Sequence, residues 1–454
     1  MLDTLPRKKV TPLTQQAKSA KSPTVAQFPS PKSAVRKITH DELRNRWIAT
    51  SPPVVYTRGA FRRYANGLWA LAEEPLIRQE ICKVVEKAKA EKVQPTLSVL
   101  NSVIGLAMAK CAMSSEQFDA QAELLVCGNG TLHIPTRTLR EWAQTDYATS
   151  GVSYNYDAKA TCPNWMRYVE YLKTALGDDV VSFLQEFAGY SITTNTSYEL
   201  AVWLWGPPGS GKSTFIEGVR AALTDRSGVL GLPQIERSSF ALAAVPGKTL
   251  LISTEQPSGF IRSAPVLNAL ISGEHIQVER KFKDAFEFRP CAKLLWAMNE
   301  LPKINAPTNG LFRRICVVEF PVLHASKRDA KLREAIKTEG CGILLWLLDG
   351  LDRLTTRDKF DIPAAIQSTT QAFQDNSDIP ASCLAEIGEF DPEASVRSSD
   401  LYAAYDKWCR ATGHKPSSST SIAADWRRLL LIHHRMPDGV HWDGFRLHES
   451  SELG

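Results

Sequence analysis

LAVWLWGPPGSGKSTF, residues 200–215, is the stretch on which the fold turns. Apolar residues 200–205 read as a buried strand. The run then breaks into Gly206, Pro207, Pro208, Gly209, Ser210 and Gly211, followed by Lys212, Ser213 and Thr214. This fits G-x-x-x-x-G-K-[ST], in which glycines let backbone N–H groups close around phosphate oxygens at the start of a helix. Residues 206–214 are therefore expected to bind ATP as a surface-accessible loop. Lys212 reaches the β- and γ-phosphates and Ser213 holds Mg2+ through its hydroxyl. A tight turn that needs glycine is the alternative, and it leaves the lysine without a reason.

Downstream, KTLLISTEQ (248–256) is a second apolar strand ending in Glu255. An acid there either binds Mg2+ through water or polarises the attacking water; an acid just past a strand is also common. Position 254 is threonine where many such ATPases carry aspartate, so Glu255 is given both roles. CAKLLWAMNELP (291–302) is a third strand ending at Asn299, which either orients water at the γ-phosphate or starts the turn before Pro302. GLFRRICVVEF (310–320) puts Arg313 and Arg314 before a strand, either as surface ion-pair formers or as an arginine finger for a neighbouring subunit. ISGEHIQVERKFKDAFEF (271–288) reads as two strands around 281–284. Arg280, Lys281 and Lys283 sit at the tip, which is either solvated or grips a DNA backbone.

Residues 193–365 thus read as a three-layer α/β ATPase core with a helical end at 342–354. Before it, 41–192 reads as a mixed α+β scaffold: a strand pair around Asn66-Gly67, an amphipathic helix at 75–92, a strand pair around 128–130, and helices at 162–176 and 180–192. A polar linker is expected over 366–382. The remainder, 383–454, runs helix, Ser-rich turn, helix and hairpin, as a winged helix does. Arg427 and Arg428 lie on its second helix as DNA-contact candidates.

The first 40 residues are rich in Ser, Pro, Lys and Gln and read as a disordered tail. It is a solvated arm, a DNA-contacting arm or a transit peptide, the last being poorest for want of an amphipathic helix. Its eight basic residues against Asp3 give +7 of the chain's net +5, which leaves −2 for the rest. Contact between that near-neutral body and nucleic acid must be focal. No run of about 18 apolar residues is present, which gives no membrane span. The nine cysteines form no CxxC pair, which fits a reducing cytoplasm, here that of a bacterial host.

The order of P-loop, strand-end Glu255, ISGEHIQVERKFKD, LLWAMNELP and GLFRR resembles the superfamily 3 helicases of the AAA+ class. It is most similar to their phage and plasmid primase-helicase branch, related to poxvirus primase-helicases. NYDAKATCPNW (155–165), LQEFAGYSIT (184–193) and LYAAYDKWCRATG (401–413) extend the likeness outside the core. The resemblance implies that Glu255 is the catalytic acid, Asn299 the sensor, and Arg314, or failing that Arg313, a finger acting across a subunit interface. It also implies that Lys281 and Lys283 lie on a hairpin in the central channel of a ring, usually a hexamer, moving 3′ to 5′ on single-stranded and forked DNA. No acid-x-acid pair with a nearby His suggests a polymerase site, so a primase or polymerase is expected on another chain. The alternative function is an ATP-regulated origin-binding or loading protein without sustained unwinding.

Overall fold

The computed structural model describes residues 38–448 except 92, 257–259, 262–263, 281–282, 305–308, 323–329, 413–415 and 430. The expected tail lies outside them as far as residue 37. Ile38 is buried and Thr39 caps α1 (His40–Thr50), so both residues belong with the helix rather than with the tail expected to end at 40. Thr39 Oγ1 accepts from the Glu42 amide while the Glu42 carboxylate accepts from the Thr39 amide, a reciprocal cap. Next, β1 (Val54–Thr57), β2 (Ala60–Ala65) and β3 (Leu68–Leu71) form an antiparallel meander. Its second turn is Asn66-Gly67, both at positive φ. Helices α2 (Glu74–Lys87) and α3 (Leu97–Lys110) close over Leu43, Trp47, Phe61, Ile81 and Val103. The sequence reading assigns no helix at α1 or α3. The reason is visible in α3, LSVLNSVIGLAMAK, where apolar residues surround the helix and no stripe stands out.

A second antiparallel sheet follows, β4 (Leu124–Cys127), β5 (Gly130–His133) and β6 (Thr138–Arg140), then α4 (Pro163–Leu176) and α5 (Asp178–Tyr190). The core sheet begins with β7 (Ala201–Trp205), leading into α6 (Lys212–Leu223). It adds β8 (Ser227–Val229) and β9 (Leu250–Gln256), with the short α7 (Leu232–Arg237) between them. Then come β10 (Phe260–Ile261), α8 (Ala264–Ser272), the hairpin β11 (Ile276–Arg280) and β12 (Lys283–Phe288), β13 (Lys293–Met298), β14 (Lys303–Ile304), α9 (Asn309–Phe312) and β15 (Ile315–Glu319). The five core strands are all parallel, in the order β15-β7-β13-β9-β8. The molecule is therefore a mixed α/β protein built on a parallel five-stranded sheet. Its strands are apolar on both sides, yet alternate residues serve different cores. Val202, Leu204, Ile252, Leu295 and Val318 face one core, and Trp203, Leu251, Trp296 and Val317 the other.

The first of these cores also takes in Leu125 and Leu132, Trp165, Val169, Leu184 and Phe187, and Leu344 and Leu347 of α11 (Gly340–Arg357). Helices α4 and α5 therefore pack with the five-stranded parallel sheet, and the boundary expected at 192 does not fall at a break in packing. That break falls earlier, since residues 38–107 hold a cluster of their own. The linker expected at 366–382 is also corrected. Here α12 (Ala364–Ser377) and the start of α13 (Ile379–Ile387) are helical, and Phe373 is buried against Trp203 and Phe312 at ring distances of 5.6 and 5.5 Å. One aromatic anchor outweighs the polar residues around it. The chain ends in α14 (Ser398–Ala411) and α15 (Ser419–Arg428) packed on a three-stranded antiparallel sheet. That sheet joins β17 (Ser395–Arg397), β19 (Gly439–Asp443) and β18 (Ile432–Met436), beside a short pair of β16 (Gly388–Glu389) and β20 (Arg446–Leu447).

Two contacts fix α4 over α6. The Glu339 carboxylate accepts from the Asn164 and Trp165 amides at 3.0 and 2.8 Å, capping α4 from the start of α11. Trp165, fully buried, lies where a Cβ on Gly218 would come within 2.1 Å of its ring. Gly218→Ala is therefore expected to lower the stability of the chain by about 1–3 kcal/mol through overpacking. Urea unfolding measures it, and an unchanged midpoint would mean that the tryptophan moves aside freely.

Candidate active site

The C-terminal ends of three neighbouring strands bring candidate residues together. Met298 of β13 pairs with Trp205 of β7 and with Gln256 of β9, so Gly206, Asn299 and Glu255 meet at one edge of the sheet. The ladder between β13 and β9 slips there: Trp296 faces Ser253, but Met298 faces Gln256. The extra residue is a bulge at Thr254–Glu255. In a regular strand these neighbours would point to opposite faces, whereas here both line the same cavity. Glu255 thus sits within the strand rather than after it, exposed to the cavity.

That cavity measures about 930 Å3 and is walled by the loop 208–214, Thr254, Glu255, Asn299, the outer face of α4, and Leu332 and Arg333 of α10 (Ala330–Ile336). Gly206 has φ +147°, and a Cβ on it would meet the Phe320 carbonyl oxygen at 2.2 Å. Gly209 and Gly211 also take positive φ, which side chains rarely adopt. α6 starts from Gly211 without a side-chain cap, leaving its first amides for a ligand.

The expectation that Lys212 contacts only phosphate on an accessible loop is corrected. Lys212 is 5% exposed, and its ammonium donates to Gly206 O at 2.6 Å, Pro207 O at 2.9 Å, Ser210 Oγ at 3.2 Å and Asn299 Oδ1 at 3.2 Å. Burial pushes its pKa down. The lysine closes the loop on itself, and Asn299 is its partner from across the strand edge.

Sequence reading missed the contribution of α4 and α10. Tyr168 donates its hydroxyl to Gly211 O at 2.9 Å, and complete burial raises its pKa well above the ordinary phenol value, so it remains a donor. Arg333 donates to Glu217 Oε1 at 3.0 Å, while its Nε is buried without a partner beside the cavity. The signal available in the sequence was the spacing of Trp165, Tyr168 and Leu172 on one helical face, which reads equally well as core.

The remaining candidates lie elsewhere. Arg314 is at the opposite end of the sheet from Gly206, because Ala201 N donates to its carbonyl at the start of β7. The residue is 8% exposed and its guanidinium is engaged by Glu199 at 2.6 Å and by Gly310 O at 2.8 Å, while Arg313 is exposed. Arg280 is not at a free tip: it donates to Arg58 O and stacks 4.1 Å over Phe286, tying the hairpin to the N-terminal meander. Lys283 opens β12 opposite Arg280, and Lys281 lies outside the described residues. Arg428 makes two bonds of 2.8 Å to Asp378, while Arg427 is exposed on α15 with its guanidinium 5.9 Å from the Trp442 ring.

Residues 38–171 match a family model described as D5 N terminal like, and residues 204–314 match a family of unknown function, DUF5906. Over 228 residues the chain is 21% identical to "Putative helicase 184R" of Invertebrate iridescent virus 6, a match covering 45% of this chain and 23% of that protein. The chain thus spans about a quarter of the viral protein it matches. Two solved structures of the NrS-1 C-terminal region without ligand align over 90% of the chain and 98% and 99% of theirs. They do so at 11% and 12% identity, with TM-scores of 0.49 and 0.48. At that level no residue role is carried over. No helix among the described residues is long and apolar enough to cross a membrane.

The Tyr168 contact gives a direct test. Tyr168→Phe should weaken ATP binding about fivefold, the worth of one hydrogen bond of about 1 kcal/mol, while the helix stays packed. A nucleotide titration reads this, and unchanged affinity would reduce Tyr168 to a packing role.

Proposed function

We propose that the chain is an ATP-driven DNA helicase of a phage, prophage or plasmid-like element, acting as a ring on single-stranded DNA. The observation that carries this reading is the meeting of Lys212, Asn299 and Glu255 at one sheet edge, around a cavity of nucleotide size. The helicase-like viral relative and the D5-like segment support a replication role for that ATPase.

On this reading ATP binds against the amides of 208–214. Lys212 leaves the Gly206 and Pro207 carbonyls for the β- and γ-phosphates, and Asn299 is released with it. Glu255 takes the proton of the water that attacks the γ-phosphorus; the bond to the β-bridging oxygen breaks, giving ADP and phosphate. Ser213 and Glu255 would hold Mg2+, which takes few protein oxygens beside phosphates and water; no cluster of three His, Cys, Asp or Glu exists among the described residues. When bound, the ion neutralises charge on the phosphates.

Arg313 and Arg314 lie roughly 16 Å, five strand residues, from their own loop, so a finger role requires another subunit. Arg313 takes it in this proposal, since Arg314 would first have to break from Glu199. Arg280 anchors the hairpin, and Lys281 and Lys283 are left as the candidate DNA contacts.

Glu255→Gln should retain ATP binding and lose turnover by about 10²–10⁴-fold, as removal of a general base does. Lys212→Ala should abolish turnover, and both should fail to unwind a forked duplex. Co-expression of Lys212→Ala with Arg313→Ala should restore part of the ATPase activity, because a mixed ring pairs an intact loop with an intact finger. Turnover of Glu255→Gln at the wild-type rate would remove the catalytic assignment. Mixed rings that form without recovery would remove Arg313 from the role.

A further inference from the structure

Beyond the loop and the strand ends, the cavity at the sheet edge continues between two helices. Among the described residues its remaining lining comes from α4 and α10 alone. It includes Tyr168, Glu170, Tyr171 and Thr174 on the first helix, and Leu332 and Arg333 on the second. The α4 residues recur at intervals of three and four, so they form one stripe along a single helix face. That stripe is anchored at the loop, where the Tyr168 hydroxyl donates to Gly211 O at 2.9 Å. At a rise of about 1.5 Å per residue, Tyr171 and Thr174 lie about 4.5 Å and about 9 Å farther along the helix axis. The opposite wall is tied down as well, since Arg333 of α10 pairs with Glu217 of α6 at 3.0 Å.

The two ends of the cavity differ in chemistry. At the sheet end stand the uncapped start of α6, the Lys212 ammonium, Glu255 and Asn299, a set that suits phosphates. At the helix end Tyr171 and Leu332 are half-buried, packing against the first core while still lining the cavity. Such apolar area holds a planar base, but every base has a π-face, so contact of this kind does not choose among them. Choice needs a polar group, and Thr174 supplies it. Its hydroxyl donates to Glu170 O, one turn back, at 3.1 Å. With that proton committed, the Thr174 oxygen can only accept from a ligand in the cavity. The Glu170 carboxylate, also an acceptor, is paired with Lys173 at 2.7 Å. An acceptor at this place favours a base edge that carries an amino group and disfavours one that carries a carbonyl.

We infer that the helix end of the cavity is a base site selective for adenine, whose ring lies against Tyr171 and Leu332 and whose 6-amino group donates to Thr174 Oγ1. Guanine carries a carbonyl at the same ring position, and there oxygen would face oxygen. Selection then comes from α4, a helix that precedes the whole five-stranded sheet in the chain. The inference rests on the proposal that the loop 206–214 binds the phosphates, and a probe that carries no base keeps the two apart.

Three ligands separate these parts when titrated into the full chain with Mg2+. They are ATP, purine riboside triphosphate, which lacks the 6-amino group, and inorganic tripolyphosphate. Tyr171→Ala should weaken ATP about tenfold through lost stacking and leave tripolyphosphate unchanged. Tyr171→Phe keeps the ring and should bind ATP as the wild type does. Thr174→Val, at an exposed position, should weaken ATP about fivefold, the worth of one hydrogen bond, and leave purine riboside triphosphate where it was. The lead of ATP over purine riboside triphosphate should therefore vanish in that variant, and GTP should bind the wild type less tightly than ATP does. The inference is overturned if Tyr171→Ala leaves ATP unchanged or weakens tripolyphosphate as much as ATP. It is overturned equally if ATP keeps its lead in Thr174→Val, or if GTP binds the wild type as tightly as ATP. Lys212→Ala should lose tripolyphosphate. If it retains all three ligands at wild-type strength, the phosphate role of the loop falls, and the base site falls with it.

Discussion

Two ladders of parallel hydrogen bonds on β13 hold the site together. The strand lies between β7 and β9 and pairs with both, so the end of each is placed with respect to the other two by backbone bonds alone. Lys212, one short loop beyond β7, reaches Asn299 at the end of β13, and Glu255 needs only a one-residue slip to face the same space. Chemistry built on strand ends is positioned by the stiffest part of the molecule. The helices around it govern access more than geometry.

That arrangement also decides what the preceding residues are for. With α4 capped by Glu339 and its tryptophan seated on Gly218, the wall of the cavity opposite the sheet is supplied by residues far upstream in the chain. The loop carbonyl of Gly211 is held by Tyr168 from that wall. A change in how the upstream residues sit would therefore be felt at the loop 206–214, through one helix and one hydroxyl.

Much of the geometry of this sheet edge is legible from the chain because its signals are local. Gly206 to Thr214 announce a loop by glycine spacing, and apolar runs that end in Glu255 and Asn299 announce strand ends. The bulge at Thr254 is not local, since it exists only as a register against β13. Tyr168 and Arg333 were illegible for the same reason: on their own helices they resemble core and surface residues. The polar run around Phe373 reads as a linker because one buried aromatic leaves little trace in composition, and Arg280 reads as a fingertip because its acceptor, the Arg58 carbonyl, lies more than 200 residues away.

The helix α12 does something for the sheet that its composition conceals. β15 is an outer strand, and on its free side the Val317 amide donates to Thr370 Oγ1 at 3.0 Å. A side-chain hydroxyl thus occupies a backbone position that would otherwise invite another strand, while Phe373 keeps the helix pressed over it. Chains that end before this helix would carry an apolar strand with an open flank and would be prone to stick to one another. A sound place to divide the protein therefore lies after residue 377, where α12 ends and the small C-terminal module starts.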